Sequence, residues 1–266
     1  MGGGFNLLAG KRGLVMGLAN DMSIAWGIAK TLRENGAQIA LSYQGEILKK
    51  RVMPLAEELG SELIIECDVK NDLSVAELAE SIEAKWGSLD FIVHSIAFAD
   101  KGELKGRYLD TSRENFLNSL DISCYSFIAV IKQLEHLLNE NSSILTLTYL
   151  GSQRVVPNYN VMGIAKAALE ASVKYIANDL GSKKIRVNAI SAGPIRTLAA
   201  SGISDFRKMH MFNESVSPLK RNVSIWDVGN SALYLLSQLS AGVTGEIHYV
   251  DCGANVMSMS LEAPGA

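Results

Sequence analysis

Short apolar runs rich in β-branched residues alternate with longer helical stretches along almost the whole chain, and this limits the possible folds more than any other feature. Several of these runs, such as 62–69 and 89–96, are nearly continuous in apolar residues. Strands of that kind are buried on both faces, which is typical of a parallel sheet. The predicted strands are 13–18, 38–43, 62–69, 89–96, 143–149, 185–191 and 246–251.

Helical stretches with apolar residues at helical spacing separate these strands. They are predicted over 23–35, 46–59, 74–86, 113–139, 159–179 and 225–238. Strands joined by helical crossovers predict an α/β fold, a Rossmann-like, doubly wound, parallel seven-stranded sheet with helices on both faces. No linker, repeat or charge block interrupts the pattern, so residues 1–266 are interpreted as a single domain.

Composition excludes several classes of function. The 266 residues include 25 Lys+Arg and 28 Asp+Glu, so a net charge of −3 offers no basic surface for nucleic acid or an anionic membrane. No apolar run approaches the ~18 residues of a membrane span. The three cysteines, Cys67, Cys124 and Cys252, are too few and too dispersed for a disulfide framework or a zinc site, and they indicate a reducing compartment. We therefore expect a cytoplasmic protein without nucleic-acid, membrane or metal partners.

The turn after the first predicted strand has the elements of a phosphate-binding site. Gly17 ends the strand, Ser23 and Ile24 open the helix, and Gly27 follows within it. A dinucleotide-binding turn needs a glycine where the backbone approaches the pyrophosphate, helix N–H groups facing it, and a small residue for helix–sheet packing. The spacing is not G-x-G-x-x-G, and an ordinary β–α turn would also use glycine. Its place at the start of the sheet favours nucleotide binding, with Asp21 pointing outward.

Tyr159 and Lys166 could form a functional pair, because they are seven residues apart, two turns along one face of a predicted helix. Spacing alone is poor support, since two other tyrosine–lysine pairs in the chain share it. Only Tyr159 opens the helix after the fifth strand, where the carboxyl ends of strands converge on a ligand crevice. There a phenol could lie beside a substrate carbonyl, and an ammonium beside a cofactor ribose.

The segment 198–224 is long for a connection in a compact α/β domain. It carries the large apolar residues Phe206, Met209, Met211 and Phe212, which a purely solvated insertion would not normally contain. We therefore expect a lid that covers a substrate, with a surface insertion as the alternative.

Three strings give the chain a specific resemblance. They are YLGSQRVVPNYNVMGIAK at 149–166, SAGPIRTLAASGI at 191–203 and SIAWG at 23–27. Together they resemble the enoyl-acyl-carrier-protein reductases of bacterial type II fatty-acid synthesis, a divergent branch of the short-chain dehydrogenase/reductases, over most of the chain. Ordinary members of that larger family carry Tyr-x3-Lys, whereas none of the eight tyrosines here has a lysine four residues later.

The resemblance implies a homotetrameric enzyme that reduces the double bond of trans-2-enoyl-acyl-carrier-protein thioesters with NADH, the last reductive step of each elongation cycle. Tyr159 would donate a hydrogen bond to the thioester carbonyl oxygen, Lys166 would hold the nicotinamide ribose, and Tyr149 would be a second active-site tyrosine. The implied cofactor-binding residues are Gly17, Ser23, Ile24, Gln44, Asp68, Val69, Ile96, Lys166, Ile195, Arg196, Thr197, Leu198 and Ala199, and the implied substrate-facing residues are Ala99, Phe206 and Met209.

The end of the second predicted strand bears on the choice between NADH and NADPH. Gln44 is a neutral amide where an NADPH site would present Arg or Lys to the 2′-phosphate, and Glu46 would repel a phosphate. Lys49, Lys50 and Arg51 are close enough in sequence to reach back, but a solvated helix face is their expected place. The pattern therefore favours NADH.

Two alternatives remain open. A carbonyl reductase of the short-chain dehydrogenase/reductase type would use the same sheet, but the absence of Tyr-x3-Lys opposes it. A non-catalytic dinucleotide-sensing protein would have no use for Tyr149, Tyr159 and Lys166. Turnover of an enoyl thioester, of a ketone, or of neither separates the three possibilities.

Overall fold

The structure is a computed structural model that describes residues 6–198, 200 and 204–258. These residues form a parallel, seven-stranded sheet in the order β3-β2-β1-β4-β5-β6-β7. The strands are β1 (Arg12–Met16), β2 (Gln38–Tyr43), β3 (Leu63–Glu66), β4 (Leu89–His94), β5 (Leu138–Thr148), β6 (Arg186–Ala192) and β7 (Ile247–Val250). Each strand overlaps its predicted range, and the predicted α/β fold is confirmed.

Helices cover both faces of the sheet. They are α1 (Ile24–Glu34), α2 (Gly45–Leu59), α3 (Asp72–Trp86), α4 (Lys101–Leu104), α5 (Arg113–Leu120), α6 (Ser126–Leu134), α7 (Val161–Gly181), α8 (Phe206–Val216) and α9 (Ile225–Leu236). Local sequence sets their ends: Asn71 accepts the Leu73 N–H at the start of α3, and Gly60 ends α2 with φ 62°. Within the described part of the chain, no helix combines the length and the apolar character needed to cross a membrane.

Successive side chains of the strands pack into two cores, one on each face of the sheet. In β1, Val15 joins the core formed with α1, α2 and α9, whereas Leu14 and Met16 join the core formed with α3, α6 and α7. This is the two-residue period of a strand that is covered on both faces. The carboxyl ends of the strands are then the edge at which loops can build a ligand site.

The segment predicted as a helix over 113–139 is helical as far as residue 137, but it is not one regular α-helix. The chain forms α5, a π-helical turn at Asp121–Tyr125 and α6, and then enters β5 at Leu138. The Ser126 hydroxyl donates to the carbonyl four residues earlier at 2.6 Å, a bond that competes with the regular helical ladder. Leu138 pairs with Leu89 of β4, so sheet pairing takes the last residues of the predicted helix.

Two other boundaries differ from the predictions. The helix predicted over 159–179 begins at Val161, because Asn160 has a φ of 39° that a helix does not allow. Tyr159 therefore lies in the preceding turn, and the prediction that it shares a helix face with Lys166 is wrong. The segment 198–224 contains α8, which was not predicted because charged residues interrupt its apolar pattern.

Candidate active site

Gly17, directly after β1, lets the turn that follows β1 lie against the turn that follows β4. Its φ of +91° suits glycine, and a Cβ there would lie 1.9 Å from the Ser95 carbonyl oxygen after β4. The Ser23 Oγ, just before α1, accepts the N–H groups of Ala19 at 3.1 Å and Asn20 at 3.0 Å. Ser23 therefore fixes the turn instead of capping α1 with its side chain, which leaves the first N–H groups of the helix for an anion.

Gly27 serves packing between helices. A Cβ on Gly27 would lie 2.4 Å from the Ile225 carbonyl oxygen of α9, and one on Gly229 would lie 2.7 Å from the Gly27 carbonyl oxygen. The prediction that Gly27 permits helix–sheet packing is therefore wrong, because its small size lets α1 and α9 approach each other. Ile24 packs against the core formed with α1, α2 and α9, and Asp21 is exposed, as predicted.

Tyr149 follows β5 and Tyr159 precedes α7, and their rings meet edge to face with centroids 5.1 Å apart. Gly151 makes this arrangement possible, because a Cβ there would lie 2.4 Å from Cδ1 of Tyr159. Gly163, in the first turn of α7, lets the helix approach: a Cβ there would lie 2.6 Å from the Gly151 carbonyl oxygen. Neither glycine was predicted as a site residue, and their place beside the tyrosines in the string 149–166 was the available signal.

Backbone conformation directs Tyr159 into this cluster. Its neighbours Asn158 and Asn160 have φ values of 61° and 39°, which asparagine tolerates better than most residues. The Asn158 side chain donates to the Ser204 carbonyl at 3.2 Å, and the Asn160 side chain donates to the Gly106 carbonyl at 3.3 Å. These bonds tie the turn to the segments on either side of it.

Burial keeps both phenols protonated. It raises the pKa of Tyr149 to about 12, with a smaller contribution from the Asp251 carboxylate. The pKa of Tyr159 is also raised, first by burial and then by the charges of Tyr149 and Glu170. At neutral pH both residues are therefore hydrogen-bond donors rather than phenolates.

Lys166 lies in the second turn of α7 with only 5% of its surface exposed. Its Nζ donates to the Leu147 carbonyl of β5 at 2.8 Å. Burial lowers the pKa of Lys166 to about 8, a shift that the charges of Cys124 and Glu170 oppose. An ammonium has three N–H donors, and its one hydrogen bond within the described part of the chain leaves two of them for a ligand.

Glu170, one helical turn after Lys166, is a buried residue of this site that was not predicted. Its Oε1 accepts the Thr148 hydroxyl at 2.7 Å and the Ser152 hydroxyl at 2.5 Å, and its Oε2 accepts the Gln153 side-chain N–H at 3.4 Å. The carboxylate is thus bound to residues on both sides of Tyr149. Its i, i+4 spacing from Lys166 was the only signal in the sequence.

The residues expected at the adenosine end lie after the carboxyl ends of β2, β3 and β4, on either side of β1 in the sheet. Gln44 follows β2 and is exposed, Asp68 and Val69 follow β3, and Ile96 follows β4. The Asp68 carboxylate accepts the N–H two residues ahead at 3.0 Å, whereas Val69 and Ile96 pack against the core. The structure therefore brings these residues to the same sheet edge as Gly17.

The residues expected over the nicotinamide follow β6. Ile195 packs against the core, and the Thr197 hydroxyl accepts the N–H of residue 200 at 3.1 Å. The pKa of His210 in α8 is lowered first by burial and then by the charge of Arg196. Arg196 is therefore close enough to α8 for its charge to act on that helix. Leu198 is partly exposed, and Ala199 lies outside the described residues.

Two of the three expected substrate-facing residues lie against the tyrosines. The Tyr149 hydroxyl donates to the Met209 Sδ of α8 at 3.5 Å. Ala99 packs in a small apolar cluster with Tyr159. Phe206 instead places its ring 5.9 Å from the ring of His210, on its own helix. Ala99, in the loop after β4, and Met209, in α8, therefore reach the two tyrosines from different elements.

The family model for "Enoyl-(Acyl carrier protein) reductase" matches residues 17–255. This chain belongs to the enoyl-acyl-carrier-protein reductase family. The matched range contains both tyrosines, Lys166 and Glu170, so the site described above lies within the part of the chain that the family shares.

Individual relatives in the family are similar over nearly their whole length. The "Enoyl-[acyl-carrier-protein] reductase [NADH] 1" of Rhizobium meliloti (strain 1021) is 61% identical over 259 residues, covering 97% of this chain and 95% of that protein. The crystal structure of the Anaplasma phagocytophilum reductase in complex with NAD has a TM-score of 0.93 and 54% identity, covering 98% of both chains. The Bacillus cereus reductase with NADP+ and indole naphthyridinone has a TM-score of 0.93 and 49% identity, covering 95% of this chain and 99% of that one.

Proposed function

We propose that this protein reduces the carbon–carbon double bond of trans-2-enoyl-acyl-carrier-protein thioesters with NADH, the last reductive step of each fatty-acid elongation cycle. The observation that carries the proposal is a pair of protonated tyrosines beside the start of α7, the helix that carries the buried Lys166, at the carboxyl edge of the sheet. The Rhizobium relative is named as an NADH-dependent reductase, and the Anaplasma relative binds NAD.

The residues at this edge fit a dinucleotide. Among the described residues the Lys166 ammonium has one protein acceptor, the Leu147 carbonyl, so two donors can reach the hydroxyls of a ribose. The turn at Gly17 and the first N–H groups of α1 suit a pyrophosphate. NADH, when bound, supplies the hydride that reduces the β-carbon of the substrate. We assign the cofactor contacts to the residues that the resemblance to the enoyl-acyl-carrier-protein reductases implies. Ser23 is assigned an indirect role, because its hydroxyl accepts two backbone N–H groups and so shapes the turn before α1.

Tyr159 is assigned to the thioester carbonyl. Negative charge develops on that oxygen as the β-carbon is reduced, so a donor must already point at the place where the charge appears. Tyr159 meets this requirement because burial keeps its phenol protonated and the Tyr149 ring and Gly151 hold its ring. Lys166 is assigned to the cofactor ribose, and Tyr149 is assigned to the wall of the substrate slot beside Met209.

A reductase assay tests the activity directly. Loss of the absorbance of reduced nicotinamide is followed with crotonyl or longer enoyl thioesters, and a ketone substrate serves as the control. We expect turnover of the enoyl thioester alone. Reduction of the ketone but not of the thioester would favour a carbonyl reductase, and dinucleotide binding without any turnover would favour a sensing protein.

The expected preference for NADH has support near Gln44. Lys49, a cation that could reach back to a 2′-phosphate, pairs with Glu46 at 2.9 Å and lies 6.0 Å from the ring centre of Tyr43. Gln44 itself is neutral and exposed. Comparing kcat/KM for NADH and NADPH with one enoyl substrate tests the preference, and Gln44→Arg should move it toward NADPH. A wild-type preference for NADPH would contradict this assignment.

We further propose that the chain works as a single domain in a cytoplasmic homotetramer, with the segment 198–224 covering the substrate. Exposed apolar residues on α6 and α7, among them Ile128, Ile164 and Tyr175, are available for contact between subunits. The free thiols suit a reducing compartment. Light scattering tests the assembly, and Tyr175→Glu should weaken it.

A further inference from the structure

Glu170 has no part in the mechanism above, although it lies on the helix that carries Lys166 and its carboxylate binds the turn that carries Tyr149. We propose that Glu170 is a positioning residue of the reductase: its carboxylate locks that turn onto α7 and places a negative charge one helical turn from Lys166 on the same face of the helix. This inference rests on the proposed function, and its experiment separates the two.

Two hydroxyl groups of the turn donate hydrogen bonds to the same carboxylate oxygen of Glu170. Thr148 and Ser152, whose hydroxyls donate to Oε1 at 2.7 and 2.5 Å, come immediately before Tyr149 and immediately after Gly151 in the chain. Short hydrogen bonds to an ionised acceptor are stronger than bonds between neutral groups. Movement of the Glu170 carboxylate would therefore displace the turn against which both tyrosine rings pack.

The charge of Glu170 also acts on Lys166. The other titratable groups acting on this ammonium lie on separate elements, Cys124 in the π-helical turn and His94 at the end of β4. Burial raises the pKa of the Cys124 thiol and lowers the pKa of His94 to about 3, so both are neutral near pH 7. Among these groups the carboxylate is therefore the anion that favours the protonated lysine.

The carboxylate has further neighbours that any pH measurement must take into account. Its charge raises the pKa of Tyr159 after burial and the Tyr149 contribution, and it also raises the pKa of Tyr249 in β7 after the effect of burial. Both tyrosines are neutral near pH 8, so neither changes charge in the range where Lys166 loses its proton. The alkaline loss of NADH binding can thus be assigned to Lys166.

Glu170→Gln separates the charge from the hydrogen bonds, because its amide oxygen can still accept both hydroxyls. In the wild type, NADH affinity should fall as pH rises through the Lys166 pKa of about 8. In Glu170→Gln the fall should begin at a lower pH, since the charge that favours the protonated lysine has been removed. Glu80→Gln, which removes an exposed carboxylate from α3, should behave as the wild type.

Ser152→Ala tests the lock while keeping the charge. It should lower kcat several-fold without moving the alkaline fall in NADH affinity, because it loosens the turn under the tyrosines and leaves Lys166 unchanged. The measurements are the NADH dissociation constant by fluorescence across pH 8, kcat with a saturating enoyl thioester, and the circular dichroism spectrum of each variant.

Either of two results overturns the proposal: an unshifted alkaline fall in folded Glu170→Gln, or a wild-type kcat in Ser152→Ala. If Glu170→Gln does not fold, Thr148→Val joins Ser152→Ala, and a wild-type kcat in both variants overturns the proposal. If the wild type reduces no enoyl thioester, the proposed function fails, whereas the pH dependence of NADH binding still tests the effect of Glu170 on Lys166.

Discussion

Replacing Gly151 by alanine tests whether contact with the turn after β5 holds Tyr159 in place. The new Cβ would lie 2.4 Å from Cδ1 and 2.8 Å from Cε1 of the Tyr159 ring. Carbon atoms in contact are separated by about 3.5–4.0 Å, so the ring has to move by ~1 Å. Gly151 is not among the residues with positive φ, so alanine fits the backbone and the ring contact alone is perturbed. A displacement of this size should lower kcat/KM by about 100-fold.

The assay is kcat/KM with crotonyl thioester, beside the NADH dissociation constant and the Tm. NADH affinity should stay near that of the wild type, because Lys166 is held by the Leu147 carbonyl rather than by the Tyr159 ring. Gly181→Ala, at the end of α7, is the matched control, since a Cβ there would meet nothing within 4 Å. Wild-type kcat/KM in folded Gly151→Ala would refute the reasoning.

Three further predictions follow from the same structure. Tyr159→Phe should lower turnover and leave NADH affinity nearly unchanged, whereas Lys166→Ala should weaken NADH binding as well; loss of affinity alone in both variants would contradict this division of roles. The amides of α8, a helix without buried residues, should exchange hydrogen more slowly once NADH and an acyl analogue bind, and equal exchange in both states would exclude a lid. Burial lowers the pKa of the His94 imidazole to about 3. Below pH 6.5 this imidazole therefore binds a proton in the unfolded chain but not in the folded one. The free energy of unfolding should then fall by about 1.4 kcal/mol for each unit of pH decrease down to the folded-state pKa. Urea unfolding of the wild type and His94→Gln should show that this dependence is weaker in the variant, and equal slopes would contradict it.

The sheet could be predicted from the sequence because each strand carries its signal locally. The buried runs that became β2 and β4 are apolar on both faces, and that pattern needs no knowledge of neighbouring strands. The start of β5 could not be predicted in this way. Residues 139–141 are polar and exposed, and Asn141 has a left-handed φ of 65°. This stretch belongs to β5 only because Leu138 pairs with Leu89 across the sheet, before an irregularity in the register. Pairing of this kind is a tertiary effect that overrides local preference.

The same distinction between local signals and tertiary effects applies to the residues of the site. Tyr149, Tyr159 and Lys166 could be identified because they belong to one contiguous string, and topology then places that string at the carboxyl edge. Gly151 and Glu170 could not, although they lie in or next to that string. The requirement at Gly151 is a ring that folds back onto it, and the partners of Glu170 come from a strand and a turn that precede it by about twenty residues.

The departure from Tyr-x3-Lys has a structural consequence that bears on the mechanism. With Tyr159 in the turn before α7 and Lys166 inside the helix, the two residues rest on different supports. Tyr159 is held by Tyr149 and Gly151, whereas the Lys166 ammonium is held by its hydrogen bond to the Leu147 carbonyl. The phenol keeps its proton through burial and needs no ammonium beside it to act as a donor. Such a site suits stabilisation of a thioester oxygen better than proton transfer to a ketone, for which a lowered tyrosine pKa would be an advantage.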